Sequence, residues 1–161
     1  MIKKCCDLLE INHLKIAFIE SASSGYLSSQ FSIYKNSGAE ILLGGLVSYD
    51  PSIKTNILKI EPAFIEKYTA ESAEVTEAMA MYGKNLFTQA DIIVACTGLL
   101  KSGGSATEIK PEGTFFISIL YLNKTYNFHY FIDGTPSEKL AILSQYIAKE
   151  IIEIIEEIEP C

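Results

Sequence analysis

The sequence contains no arginine and no tryptophan, so all 13 of its basic residues are lysines. Twenty acidic residues outnumber them, and the formal net charge is -7 at pH 7. Nucleic-acid-binding proteins usually concentrate basic side chains on one face of the molecule. Because the sequence has no dense lysine cluster, we expect no nucleic acid partner.

Long apolar runs are also absent, since none approaches the roughly 18 residues that a membrane-spanning helix requires. The N-terminal segment lacks the uncharged apolar stretch of a signal peptide. From these two absences we expect a cytoplasmic protein that does not contact a membrane.

The cysteines and histidines do not form a recognisable metal or disulfide pattern. The four cysteines are Cys5, Cys6, Cys96 and Cys161. Their spacing fits neither a disulfide framework nor a zinc site, and Cys96 ends an apolar run that favours a buried, reduced thiol. His13 and His129 are far apart and have no clustered ligands around them, and we expect His129 to face solvent. We therefore expect no metal.

The length and composition predict one compact domain over residues 1–161. The chain is 48% hydrophobic with a mean hydropathy of +0.21 and has no linker-like segment. Apolar runs predict strands at 16–19, 41–49, 92–96, 115–121 and 125–131, the last two as a hairpin. Helical patterns lie near the N-terminus, at 23–34, after Pro51, after Ser72 and at 136–158. This order predicts a three-layer α/β/α fold with a mixed, mostly parallel five-stranded sheet.

Polar residues follow each of the first three strands of the predicted sheet. Ser21 follows the first strand, Tyr49 and Lys54 follow the second, and Thr97 follows the third. Ligands bind at the carboxyl edge of open α/β sheets, so we expect these side chains to converge there. A desolvated lysine can act as a general base for a serine nucleophile, with helix N-terminal amides stabilising negative charge beside it.

Each of these residues also has an ordinary structural interpretation. Ser21 alone could be a helix N-cap or turn serine, and Lys54 alone could be a solvated lysine on a helix. Tyr49 alone could be an aromatic residue at a strand end. The chemical interpretation therefore depends on their convergence.

Several ordered motifs are similar to those of a known family. They are Glu20-Ser21-Ala22-Ser23-Ser24-Gly25, then Gly44-Gly45-Leu46-Val47-Ser48-Tyr49 running on to Lys54, then Glu71-Ser72 through Ala78-Met79-Ala80, then Thr97-Gly98, Gly103-Gly104, Lys110-Pro111 and Gly113-Thr114. Over residues 8 to 150 the sequence resembles the CinA C-terminal domain family, the nicotinamide-nucleotide amidases also called PncC. The chain resembles a stand-alone member without the separate N-terminal domain of longer members.

The resemblance implies hydrolysis of the carboxamide of nicotinamide mononucleotide, yielding nicotinate mononucleotide and ammonia. Carried over by position, Ser21 is the nucleophile and Lys54 its base, while Tyr49 and Thr97 complete the polar network around the reacting carbonyl. The mechanism implied is acylation of the serine followed by hydrolysis, without a metal or organic cofactor. We also expect a homo-oligomer, from the tyrosine-rich edge strand and the long C-terminal helix.

The resemblance also implies where the substrate binds, and the sequence differs from the family in this region. The substrate-binding residues expected from the motifs are Ser23, Ser24, Gly25, Gly98, Lys101, Gly103 and Gly104. The family motif has Cys-Thr-Gly where this chain has Ala22-Ser23-Ser24, and it carries an arginine near the last helix. In its place Lys101 or Lys139 would meet the phosphate as a point charge. Two alternatives remain: an amidase for another substrate, and a catalytically silent binding or assembly module.

Overall fold

One mixed sheet of five strands organises the protein. The computed structural model describes residues 1–34 and 38–158. The strands are β1 (Ile16–Glu20), β2 (Leu42–Val47), β3 (Ile92–Gly98), β4 (Thr114–Tyr121) and β5 (Lys124–Phe131). They lie in the order β2-β1-β3-β4-β5, with β1 parallel to β2 and β3 and with β4 antiparallel to both of its neighbours. The mixed, mostly parallel sheet is thus confirmed.

Helices cover both faces of this sheet. They are α1 (Ile2–Ile11), α2 (Tyr26–Ile33), α3 (Pro51–Asn56), α4 (Pro62–Tyr68), α5 (Ala73–Leu86) and α6 (Pro136–Ile158). α1, α2 and α6 contact one another, whereas α5 packs on β3, β4 and β5 and contacts α4. The three-layer α/β/α architecture is confirmed.

Alternation along the strands divides the core into two apolar layers. In β1, Phe18 points towards the layer of α1, α2 and α6, whereas Ala17 and Ile19 point towards α5. In β3, Val94 points towards the layer of α1, α2 and α6, and Ala95 points towards α5. Each fully buried aliphatic or aromatic side chain contributes on the order of 1.5–3 kcal/mol, so both layers hold the strand ends in place.

Several expectations about individual elements are confirmed. α6 spans the predicted residues, and Ser72 caps α5 by accepting a hydrogen bond from the Val75 N–H. β4 and β5 form the predicted hairpin, and His129 is exposed on β5. Among the described residues, Cys5, Cys6 and Cys96 have buried thiols, whereas Cys161 lies outside the described residues.

Other element boundaries differ from the prediction. β2 ends at Val47 rather than at residue 49, because the chain turns there into the capped start of α3. α2 begins at Tyr26 rather than at residue 23, because the residues between form a turn. The short helix α4 is missed by the pattern analysis, although Pro62 occupies its first turn, a position where proline is common.

The described residues contain neither a membrane-spanning helix nor a metal-binding cluster. None of the helices within 1–34 and 38–158 is both long and apolar enough to cross a membrane. The same part of the chain holds no group of three or more histidine, cysteine, aspartate or glutamate side chains placed to bind a metal ion.

Candidate active site

Ser21 and Lys54 meet at the carboxyl edge of the sheet. The Lys54 Nζ lies 3.0 Å from the Ser21 Oγ and donates a second hydrogen bond to the Ser48 main-chain oxygen at 2.6 Å. Lys54 is 1% exposed, so it is not a solvated helix lysine. The predicted convergence of one alcohol and one amine is therefore present in the structure.

The local sequence explains how Lys54 reaches the strand edge. The Asp50 carboxylate accepts a hydrogen bond from the Ser52 N–H at 2.8 Å and caps α3, and Pro51 occupies the first turn of that helix. Three residues therefore separate α3 from β2, and the helix turns its lysine back over the end of the strand. The cap also lowers the pKa of Asp50, mainly through the hydrogen bonds from Ser52.

Burial changes the protonation behaviour of Lys54. Desolvation disfavours the ammonium form and lowers the pKa of Lys54 below 10.5, while the carboxylates of Glu71 and Asp50 act in the opposite direction. A neutral Lys54 amine at 3.0 Å can accept the proton of the Ser21 hydroxyl. The pair thus has the geometry and the electrostatics of a nucleophile and its general base.

Main-chain hydrogen bonds fix Ser21 between its neighbouring strands. The Ser21 N–H donates to the Cys96 oxygen at 2.9 Å, and the Ser48 N–H donates to the Glu20 oxygen at 2.7 Å. Ser21 is 8% exposed, and the amide of Ala22 that follows it has no acceptor among the described residues. A rigid hydroxyl next to an unused amide is an arrangement suited to acyl transfer.

A cleft of about 280 Å³ opens above Ser21. Its lining residues are Ser21, Ala22, Tyr49, Glu71, Gly98, Leu99, Leu100, Lys101, Ser102, Gly103 and Gly104. Ser21 lies at the floor, whereas Tyr49 is 64% exposed and lies at the rim with Lys101. The glycine-rich loop after β3 therefore forms one wall of the cleft, which Gly103 and Gly104 line together with Gly98 at the end of β3. A larger groove of about 660 Å³, between α4 and α5, contains none of the predicted site residues.

The N-terminal amides of α2 are occupied, contrary to expectation. The Glu20 carboxylate accepts hydrogen bonds from the N–H groups of Gly25, Leu27 and Ser28 at 2.8 to 3.0 Å. Glu20 is 1% exposed and satisfies the start of the helix. The expectation that these amides stabilise negative charge beside Ser21 is therefore wrong, because an internal carboxylate already holds them.

Thr97 lies beside Ser21 and is oriented by a buried hydroxyl. The register pairs Glu20 with Cys96, and Ser21 and Thr97 are the residues that follow this pair. The Thr97 hydroxyl faces α5, where it meets Thr76. The Thr76 Oγ1 donates to the Ser72 oxygen at 2.6 Å and lies 2.7 Å from the Thr97 Oγ1. Because a threonine hydroxyl has one proton, Thr97 donates to Thr76 and keeps its lone pairs for other donors.

The remaining predicted binding residues have different surroundings. Ser23 is 2% exposed and lies beside Cys96, whose thiol pKa is raised by burial and lowered in part by the Ser23 hydroxyl. Ser24 is exposed, and neither it nor Gly25 lines the cleft.

Lys139 is buried, where it pairs with Glu112 and donates to the Leu100 oxygen. Lys139 is therefore committed within the protein, and Lys101 is the exposed cation at the cleft.

The loop that forms the cleft wall is anchored by Lys110, a contact that the sequence reasoning missed. The Lys110 Nζ donates to the Thr69 Oγ1, the Glu71 oxygen and the Ser105 Oγ, each at 2.8 Å. The Ser105 hydroxyl donates in turn to the Glu71 carboxylate at 2.5 Å. The sequence marked both segments as motifs, Lys110-Pro111 and Glu71-Ser72. Neither motif indicated that the two segments are in contact.

Comparison with known proteins agrees with this fold. The CinA C-terminal domain model matches residues 1–156. A "CinA-like protein" of Thermotoga neapolitana is 36% identical over 125 residues, which are 75% of this chain and 30% of that protein. Protein MG115 of Mycoplasma genitalium is 31% identical over 124 residues, covering 77% of this chain and 76% of that protein. The chain thus spans less than a third of the length of the Thermotoga relative.

Solved structures of similar fold come from the same superfamily. A competence-damaged protein (CinA) superfamily protein of Escherichia coli superposes with a TM-score of 0.85 at 21% identity, covering 96% of this chain and 90% of that one. One from Klebsiella pneumoniae superposes with a TM-score of 0.87 at 18% identity, covering 97% of this chain and 96% of that one. These likenesses establish the fold, and the family model establishes the relationship. The chain belongs to the CinA C-terminal domain family.

Proposed function

We propose that the protein is an amidohydrolase in which Ser21 attacks a carboxamide and Lys54 is the general base. The observation that carries the proposal is the 3.0 Å contact between the Lys54 Nζ and the Ser21 Oγ at the floor of a cleft. The substrate we propose is nicotinamide mononucleotide, as the family resemblance implies. Its phosphate would meet Lys101 at the rim.

The reaction proceeds in two acyl-transfer steps. Lys54 takes the proton of Ser21 as the Oγ attacks the amide carbon, and the Ala22 N–H is the candidate donor to the developing oxyanion. The Lys54 ammonium then gives its proton to the departing nitrogen, which leaves as ammonia. Water hydrolyses the Ser21 ester and forms nicotinate mononucleotide. No step requires a metal ion or an organic cofactor.

Two of the expected network residues have specific tasks in this proposal. Thr97 is fully buried, does not line the cleft and donates its proton to Thr76, so we assign to it a positioning role in the polar network behind Ser21. Tyr49 lines the rim of the cleft, where it can contact the ring or ribose of the bound nucleotide.

Ammonia release across a panel of amides tests the proposal. We expect release from nicotinamide mononucleotide and not from simple aliphatic amides, with loss of activity in both Ser21→Ala and Lys54→Met. Ser24→Ala is the matched control, because Ser24 is exposed and does not line the cleft. Turnover by Ser21→Ala at the wild-type rate would overturn the assignment. Nucleotide binding without ammonia release from any amide would favour the silent binding module.

A further inference from the structure

Glu71 is the acidic residue of the cleft. Among the described residues that line it, two carry a charge, Glu71 and Lys101. Glu71 is half-buried, whereas Lys101 is exposed. A ligand that reaches Ser21 therefore passes a partly desolvated carboxylate, where charge interactions are stronger than at the open surface.

The Glu71 carboxylate is held in place by a hydroxyl donor rather than by a direct ion pair. The Ser105 hydroxyl donates to its Oε2, and Lys110 fixes both Ser105 and the Glu71 main-chain oxygen. Lys110 donates to these oxygens rather than to the carboxylate, and no ion pair within residues 1–34 and 38–158 involves Glu71. A fixed and unpaired carboxylate loses little conformational entropy when it meets a cation.

The negative charge of Glu71 also reaches the reacting pair. Its carboxylate is the largest of the influences that raise the pKa of Lys54 against the opposing effect of burial. A carboxamide placed at Ser21 therefore lies within the field of Glu71. An aromatic ring that carries this carboxamide would lie in the same small cleft.

We propose that Glu71 is a specificity-determining residue that selects carboxamides on a positively charged ring, such as N-substituted pyridinium rings, over carboxamides on a neutral ring. The inference rests on the proposed function and deepens it. A quaternary pyridinium nitrogen cannot donate a hydrogen bond, so a nearby carboxylate recognises it through charge alone. Hydrolysis converts the neutral amide into a carboxylate, which Glu71 repels, so the same residue favours release of the product.

Two forms of one nucleotide provide the test. Nicotinamide mononucleotide and its reduced dihydropyridine form share the carboxamide, ribose and phosphate and differ in the ring charge. Binding of both is measured by calorimetry at pH 8 in the Ser21→Ala background, which prevents turnover. We expect the oxidised form to bind about tenfold more tightly, the size of effect that one partly desolvated charge pair produces. Adding Glu71→Gln should reduce this preference to about twofold or less, because Gln keeps the bond to Ser105 without the charge.

Glu74→Gln is the matched control, since it removes an equal charge from an exposed position in the first turn of α5 and should leave the preference unchanged. Equal binding of the two forms by Ser21→Ala overturns the inference, and so does a preference that persists in Glu71→Gln. The first outcome does not depend on the folding of the Glu71 variant. Ammonia release by the wild-type protein tests the proposed function separately, so the two can fail independently. Failure of both forms to bind overturns both.

Discussion

The Lys54 Nζ lies 3.0 Å from the Ser21 Oγ, although 33 positions separate the two residues in the chain. The capped start of α3 brings the lysine over the end of β2, and the parallel pairing of β1 with β2 places the serine beside it. Burial of the amine favours its neutral form, which is the form that can accept a proton. The fold thus converts an ordinary lysine into a base.

The pH dependence of hydrolysis should follow the protonation of Lys54. Because the neutral amine is the active form, kcat/KM should rise with pH and level off above the Lys54 pKa, with a midpoint below 10.5. Glu71→Gln should move this midpoint to lower pH, since the Glu71 carboxylate raises the Lys54 pKa. A rate profile between pH 5 and about 11.5 measures both midpoints. A midpoint at or above 10.5 would contradict the role of the buried amine.

Thr76 should control the orientation of the Thr97 hydroxyl. Thr76→Val keeps the shape of the side chain but removes the acceptor to which Thr97 donates, so kcat should fall about tenfold with little change in KM. Thr76→Ser retains the hydroxyl and should remain within about twofold of the wild-type kcat. Steady-state kinetics of the wild type and the two variants measure these changes. Equal losses of kcat in Thr76→Val and Thr76→Ser would show that packing, rather than the hydroxyl, is responsible.

Lys110 should hold the glycine-rich loop over the cleft. Lys110→Met removes three hydrogen bonds from a charged donor, so amide hydrogen exchange in residues 99–110 should accelerate at least about tenfold. Lys67→Met, which removes an exposed lysine of α4, serves as the control and should leave exchange in this loop unchanged. Unchanged exchange in Lys110→Met would show that the loop is held by other contacts.

Ser24 should be a site where glycine stabilises the protein. Its φ of 49° lies in the left-handed region, which costs a residue with a Cβ about 1 kcal/mol or more. Ser24→Gly should therefore raise the free energy of unfolding by about 0.5 kcal/mol, after the greater entropy of glycine in the unfolded chain is subtracted. Ser29→Gly, at an exposed position inside α2, should instead lower it by roughly 0.5 kcal/mol. Urea unfolding measures the change in the free energy of unfolding for both variants. Destabilisation by Ser24→Gly would refute the strain argument.

Much of the fold and the central pair could be predicted from the sequence because both follow from local patterns. Short apolar runs separated by helical patterns predict a parallel sheet, and parallel strands present their carboxyl ends at one edge. Ser21 follows the first strand directly, and Lys54 follows the second across a short proline turn, so their meeting required no knowledge of side-chain packing. The capping of α5 by Ser72 is equally local.

Other features of the site depend on contacts between distant segments. The roles proposed for Glu71 and Thr76 depend on such contacts. Glu71, just before α5, contacts the loop after β3, and Thr76 of α5 contacts Thr97 near the end of β3. Lys139 is buried, where it forms an ion pair with Glu112 in the loop before β4. Its own sequence context gave no indication of this burial. The Glu20 carboxylate accepts hydrogen bonds from the amides at the start of α2, and the strand pattern alone does not predict this contact.

The central claim is that Ser21 forms an ester with the substrate, and the mass of the intact protein tests it most directly. A reaction with nicotinamide mononucleotide, quenched in acid within the first turnover, should show protein whose mass has increased by that of the nucleotide less ammonia. The adduct should map to the peptide that contains Ser21 and should be absent from Ser21→Ala. Ammonia release by Ser21→Ala, or an adduct on a different residue, would contradict the account.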